Sequence, residues 1–221
     1  MLVGHYAVAL IAKRNQPKIN LGTLVFAAML ADFAWCAFMI LGLEQVQFKS
    51  GLGAGQYFSA TNIALSHSLL MDFVWATLFG LAYFLRSRHP AAASTIFFVV
   101  LSHWFLDFVS HRPDLPFAPG TRRFVGLGLW NSIPATLLVE GAFWLFAILL
   151  FVRATHSRSR KAAFVFWAGI SLLALVWLSN IAGPPPQNPK VAPFASLIFF
   201  SLTLVWACWV NRSRVVPQAR P

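Results

Sequence analysis

The sequence predicts an all-α, polytopic membrane protein of about six transmembrane helices, preceded by a short N-terminal helix that is either interfacial or re-entrant. Three observations carry this prediction. Of 221 residues, 58% are hydrophobic and only 10% charged, less than half of the roughly 25% charged share of a soluble domain. Mean hydropathy is +0.68, with 22 Phe and 9 Trp. Apolar runs of the ~20 residues needed to cross a ~30 Å hydrocarbon core recur along the whole chain.

In chain order, residues 2–12 come first, an apolar stretch of about 16 Å as a helix and too short to span. It would lie in the interface, or form a half-helix that starts near mid-membrane and exits at Lys13, which would bury His5. Spans are then expected at roughly 21–43, 62–85, 92–110, 130–152, 162–182 and 193–210. Between them lie KSGLGAG (49–55), residues 86–90, 112–128 and 156–161, and GPPPQNP (183–189), the Gly, Pro and basic punctuation of loops. GLGAG is no phosphate loop, since no Gly-Lys-Ser/Thr follows. The first residues lack the basic segment and small-residue cleavage site of a signal peptide, so none is expected. The reading is one transmembrane domain over 1–221, with the chemistry-bearing residues concentrated in 1–120 and three further helices over 130–210.

The net charge of +11 would ordinarily suggest a nucleic-acid partner. Its placement argues for topology instead. Lys13, Arg14, Lys18, Arg86, Arg88, Arg153, Arg158, Arg160, Lys161, Arg212, Arg214 and Arg220 fall on one side of the six spans, and Lys49, Arg112, Arg122, Arg123 and Lys190 on the other. Twelve against five puts both termini in the cytoplasm. No nucleic-acid partner is expected, and the aromatic residues read as packing and depth anchors.

The acids and histidines behave differently. Asp32, His67, Asp72, His103, Asp107 and Glu140 lie inside apolar runs, where an aspartate costs about 2.5–3.5 kcal/mol at the helix centre. By helical rise, His67, His103 and Asp107 fall about 8, 10 and 5 Å inside the outer ends of their spans, with Asp32, Asp72 and Glu140 near mid-depth. His103 and Asp107 stand at i and i+4, so an imidazole nitrogen and a carboxylate oxygen can meet one cation. His111 continues that stripe about 12 Å further on and would serve a second ion or a substrate phosphate. Asp72, at i+5 from His67, points about 140° away on a continuous helix. Each of these groups also admits a purely structural reading, a hydrogen bond across helices worth about 0.6–2 kcal/mol. His89 and His156 sit beside loop arginines and read as solvated. Cys36 and Cys208 form no CxxC pair. Ser66, Ser102 and Ser110 each precede a histidine without the Gly-x-Ser-x-Gly elbow of a serine nucleophile.

Gly4-His5, Ala31-Asp32, Ser66-His67-Ser68-Leu69-Leu70, and Leu101-Ser102-His103 through Asp107 with Leu115-Pro116-Phe117 together resemble the YdjM-like family of bacterial inner-membrane proteins, regarded as metal-dependent hydrolases. The resemblance covers about the first 120 residues. It implies His5, Asp32, His67, His103 and Asp107 as metal or catalytic positions. Two departures stand out. Ala31-Asp32-Phe33-Ala34 replaces the family's Pro-Asp-x-Asp, and Asn62 through His67 replaces its His-Arg-Gly-x-Thr-His, so one carboxylate and one histidine are absent; His111 or Glu140 would compensate. The order of histidines and aspartates is also similar to that of zinc-dependent phospholipase C.

The expected function is therefore hydrolysis at a divalent ion, zinc by donor type. Glu140 would be a general base or complete the metal shell, and His111 a second polar group. Arg112, Arg122 and Arg123 would hold the head group of a phospholipid or lipid-linked phosphate. The rivals are a proton- or cation-coupled transporter using the same intramembrane groups, which the lack of repeats and broken spans disfavours, and a non-catalytic membrane scaffold.

Overall fold

A computed structural model of the chain describes residues 1–48, 58–59, 62–183, 188 and 190–216. The Gly-rich 51–55 segment and most of 183–189 lie outside the described residues. Helices follow as α1 (Leu2–Asn15), α2 (Leu21–Ala28), α3 (Leu30–Ile40), α4 (Ala64–His67), α5 (Leu69–Ser87), α6 (Pro90–Ser110), α7 (Ile133–Ala154), α8 (Arg160–Ala182) and α9 (Ala192–Ser213). Two-residue antiparallel pairs join β1 (Gln47–Phe48) to β2 (Phe58–Ser59), β3 (Leu115–Pro116) to β4 (Phe124–Val125), and β5 (His156–Ser157) to β6 (Arg214–Val215).

The chain is an all-α, multi-pass membrane protein. Among the described residues, α5 to α9 are each long and apolar enough to cross a membrane, and α2 with α3 makes a sixth candidate if the bent pair counts as one span. Local signals set many of these boundaries. Asn20, Ser68, Ser132 and Ser159 cap α2, α5, α7 and α8 by accepting from the backbone N–H of Gly22, Met71, Ala135 and Ala162, and Pro90 opens α6 where its missing N–H costs nothing. The long helices turn apolar side chains outward, with Phe98, Leu138, Phe164 and Val205 each more than 60% exposed. In water such a surface would aggregate; in a bilayer it meets lipid tails.

Two expectations about the spans are corrected. The run at 21–43 is not a straight helix: α2 and α3 meet at a 58° bend. Met29 stands between the two helices at φ −104°, ψ 10°, outside helical geometry. The run at 62–85 is also divided, because Ser68 leaves helical geometry (ψ 150°) to cap α5, so His67 belongs to the separate turn α4. The depth and angular offsets computed for His67 and Asp72 on one helix therefore do not apply.

The 2–12 stretch takes the buried of its two expected places. α1 packs against α2, α6 and α7, and Val3, His5, Tyr6, Ala7, Ala9 and Leu10 are all buried. A helix apolar all round belongs inside a bundle. Tyr6 Oη and Thr203 Oγ1, 2.7 Å apart, tie it to α9. Its two ends lie near the two polar regions of the molecule, with His5 at one and Lys13 at the other.

Candidate metal centre

The cluster is assembled from four places in the chain. α6 supplies His103 and Asp107 one turn apart, α1 supplies His5, the first turn of α3 supplies Asp32, and α4 supplies His67. All five residues expected as metal positions come together. Asp107 Oδ2 lies 3.3 Å from His103 Nε2 and 3.9 Å from His67 Nε2. Asp32 Oδ1 lies 3.5 Å from His67 Nε2 and 4.0 Å from His103 Nε2. His5 Nε2 is 3.2 Å from Asp107 Oδ1, its ring stacked 3.8 Å from that of His103. The Met1 nitrogen also donates to Asp107 Oδ1, at 2.5 Å.

Two overlapping groups, His5–His103–Asp107 and Asp32–His67–His103, bring one donor atom per residue within 4.8 Å of one another. Ligand atoms around a tetrahedral zinc with bonds of about 2.0–2.1 Å stand about 3.3–3.4 Å apart. The carboxylate–imidazole separations observed bracket that value, from 3.2 to 4.0 Å.

Hydrogen bonds outside the cluster fix where the protons sit. At the α2–α3 bend the Ala28 carbonyl turns to His103 and accepts from its Nδ1, 2.8 Å away. A carbonyl cannot donate, so Nδ1 carries the hydrogen and Nε2 keeps its lone pair in the neutral ring. That Nε2 is buried and has no hydrogen-bond partner. His67 is oriented in the same sense. Ser66 Oγ is 2.7 Å from Glu44 Oε2 and 3.3 Å from Ile63 O, both acceptors, and 2.8 Å from His67 Nδ1. The single hydroxyl hydrogen goes to an acceptor, so His67 Nδ1 donates to Ser66 and its Nε2 also faces the cluster as a lone pair. In the neutral rings two imidazole lone pairs thus point at two carboxylates, an arrangement that a bound cation, or a proton on each Nε2, relieves.

Glu44 and Ser66 are positions of the candidate centre that sequence reasoning missed. The available signal was arithmetic: of the chain's six acids, Glu44 and Asp114 were the two left without a reading. The Ser66 backbone N–H donates to Glu44 Oε1 as well, at 2.8 Å. The order carboxylate, hydroxyl, imidazole places the hydroxyl in the middle, so Ser66 orients His67 and is not arranged as a nucleophile. Ser102 and Ser110 donate to carbonyls of their own helix.

The remaining candidates lie around this centre. Glu140 on α7 is buried beside the Gly4 backbone, Trp130 and Trp177, and its Oε1 has no hydrogen-bond partner. His111, just past α6, stays outside both metal groups; its Nδ1 is 3.1 Å from Asp114 Oδ1 and its ring lies against Trp130. Arg112 Nε is 3.6 Å from Asp114 Oδ2, while Arg122 and Arg123 are exposed on the following loop. Asp72 accepts from the Trp104 backbone N–H at 3.4 Å and joins neither metal group. Cys36 and Cys208 are free thiols. No family model, curated protein or solved structure matches this chain.

Proposed function

We propose that this protein is a membrane-embedded metal-dependent hydrolase acting on a phospholipid or lipid-linked phosphoester, as its resemblance to the YdjM-like family implies. In this reading it sits in the bacterial inner membrane with the Lys13 end of α1 and the C-terminus on the cytoplasmic side. The observation that carries it is the forced orientation of His67 and His103, whose Nε2 lone pairs meet Asp32 and Asp107 in a buried space. Mixed imidazole and carboxylate donors suit zinc.

His67, His103, Asp32 and Asp107 would hold the ion, with His5 as a fifth donor. A bound zinc ion supplies Lewis-acid chemistry, polarising a phosphoryl oxygen and acidifying water. The protein's own groups do the rest. His111, its Nδ1–H given to Asp114, keeps Nε2 as a proton acceptor, and Glu140 is the second buried group able to take a proton. Arg122 and Arg123, exposed on the loop after α6, attract the anionic head group, and Arg112, shared with Asp114, attracts it less. Ala34 and Asn62 replace a family carboxylate and histidine, which favours one ion over two.

Elemental analysis tests this directly. Protein purified without chelators should carry at least one equivalent of divalent metal, His103→Ala should carry none, and lipid phosphoester cleavage should cease on chelation. Wild-type protein free of stoichiometric metal would overturn the reading. A second reading, a proton- or cation-coupled transporter, is favoured by one observation, the bent α2–α3 pair beside Asp32, because broken helices at buried acids are a transporter device. Metal-independent, proton-coupled flux in proteoliposomes would select it.

A further inference from the structure

At the Lys13 end of the bundle lies a cavity of about 180 Å³, lined among others by Lys13, Lys18, Phe151, Thr155, Asn211 and Arg214. It is built as deliberately as the acidic cluster, but from one sign of charge. Lys13 is buried, and its Nζ donates to the carbonyls of Pro17 (2.6 Å) and Ile19 (2.8 Å), leaving one of its three N–H bonds. Arg214 donates from Nε to Thr155 Oγ1, and from its terminal nitrogens to Ser157 Oγ and Thr155 O, with its guanidinium over the Phe166 ring. Three of its five N–H groups are so engaged. Asn211 Oδ1 accepts from Leu21 N–H, which leaves its amide nitrogen for a ligand.

All these partners are neutral. They fix the cations in place without compensating their charge. The chain's six acids, Asp32, Glu44, Asp72, Asp107, Asp114 and Glu140, all belong to the region around the histidine cluster or its loops, and none lines this cavity. Arg214 is half-buried and Lys18 exposed, but Lys13 is buried, and a buried cation is ordinarily paired. Burial lowers the Lys13 ammonium from its usual 10.5 to about 8 and lowers the Arg214 guanidinium as well, as a missing counter-charge requires.

We propose that this cavity is an anion site that takes a phosphate group, held by Lys13, Lys18, Arg214 and the Asn211 amide. Its volume is below the roughly 300–1,000 Å³ of a small-molecule pocket, so it accommodates a phosphate and not a nucleotide. Two sources carry that chemistry, an anionic phospholipid head group and free phosphate. The position at the ends of α7 and α9, with Leu21, Phe151 and Val210 in the wall, suits a lipid. The site stands apart from the proposed hydrolase centre and does not depend on it.

The full chain in neutral detergent should be titrated with phosphatidylglycerol, phosphatidylcholine and inorganic phosphate, with binding read by native mass spectrometry and by the shift in Tm. Saturable binding of phosphatidylglycerol but not phosphatidylcholine is expected, weakened at least about fivefold by Lys13→Gln or Asn211→Asp. Asn211→Asp keeps the oxygen that accepts from Leu21, so it tests the anion site even if Lys13→Gln fails to fold. Arg86→Gln, at an exposed charge outside the cavity lining, should change nothing. If inorganic phosphate binds with the same sensitivity to these variants, the site stands and its source is the free anion. Equal binding of both lipids, or equal effects of Arg86→Gln and Asn211→Asp, would overturn it.

Discussion

The two ends of α1 bury charge in opposite ways. Around His5, two carboxylates and three imidazoles meet the Met1 ammonium as the fixed cation among them, a surplus of acceptors that a further cation would balance. Around Lys13, about 12 Å along the same helix by its rise, ammonium and guanidinium groups are held by carbonyls and hydroxyls, a surplus of donors that calls for an anion. One apolar helix with no acid in it separates them. The contrast shows that burial alone does not define a site; the sign left uncompensated does. The α1 dipole has the same sense at Lys13, whose positive charge suits a helix C-terminus.

The largest expected effect comes from removing one charge of the acceptor-rich end. Asp107 meets His5, His67 and His103 at once, so Asp107→Asn should lower metal affinity by more than the roughly 10–100-fold typical of an outer partner, measured by competition with a zinc chelator dye. Unchanged affinity would mean that this end needs no cation, and the contrast would fail. Ser66→Ala comes next. It leaves every donor atom in place but frees His67 to turn, and a loss of about 10–100-fold is expected; full retention would show that Glu44 and Ser66 only support the fold. The smallest effect belongs to the Lys13 end. Phosphatidylglycerol affinity, whose phosphodiester keeps one charge throughout, should be constant below about pH 8, where the Lys13 ammonium is charged, and fall about fivefold as pH rises past it. Lys18 and Arg214 face Lys13 across the same cavity, which keeps the loss partial. An affinity flat to about pH 10, where an ordinary lysine titrates, would remove Lys13 from the site.

Much of the architecture was legible because lipid leaves the chain few choices. A spanning backbone must satisfy its own hydrogen bonds, so apolar runs become helices, and the expected runs at 130–152, 162–182 and 193–210 correspond closely to α7, α8 and α9. The two misplaced boundaries differ in kind. Ser68 is a capping residue in a His-Ser-Leu-Leu context, a readable helix start that the hydropathy of 62–85 concealed. The bend at Met29 has no adjacent proline or glycine and no local signal; it is tied to contacts far away in sequence, among them the bond from His103 to Ala28 O across 75 positions. Glu44 and Ser66 were missed for a similar reason, since 22 residues of chain, partly loop, separate them.

By itself the sequence determined that this is a multi-pass helical membrane protein and that Asp32, His67, Asp72, His103, Asp107 and Glu140 were the groups to watch, because polar residues in hydrocarbon are too costly to leave apart; the narrower set of His5, Asp32, His67, His103 and Asp107 came from the family resemblance. Only the tertiary structure decided that they share one centre, which nitrogen of each of two rings faces it, and that Lys13 and Arg214 border a cavity without an acid. Those facts depend on distances between helices and on single carbonyls freed or captured by packing, and a linear pattern of residue types encodes neither.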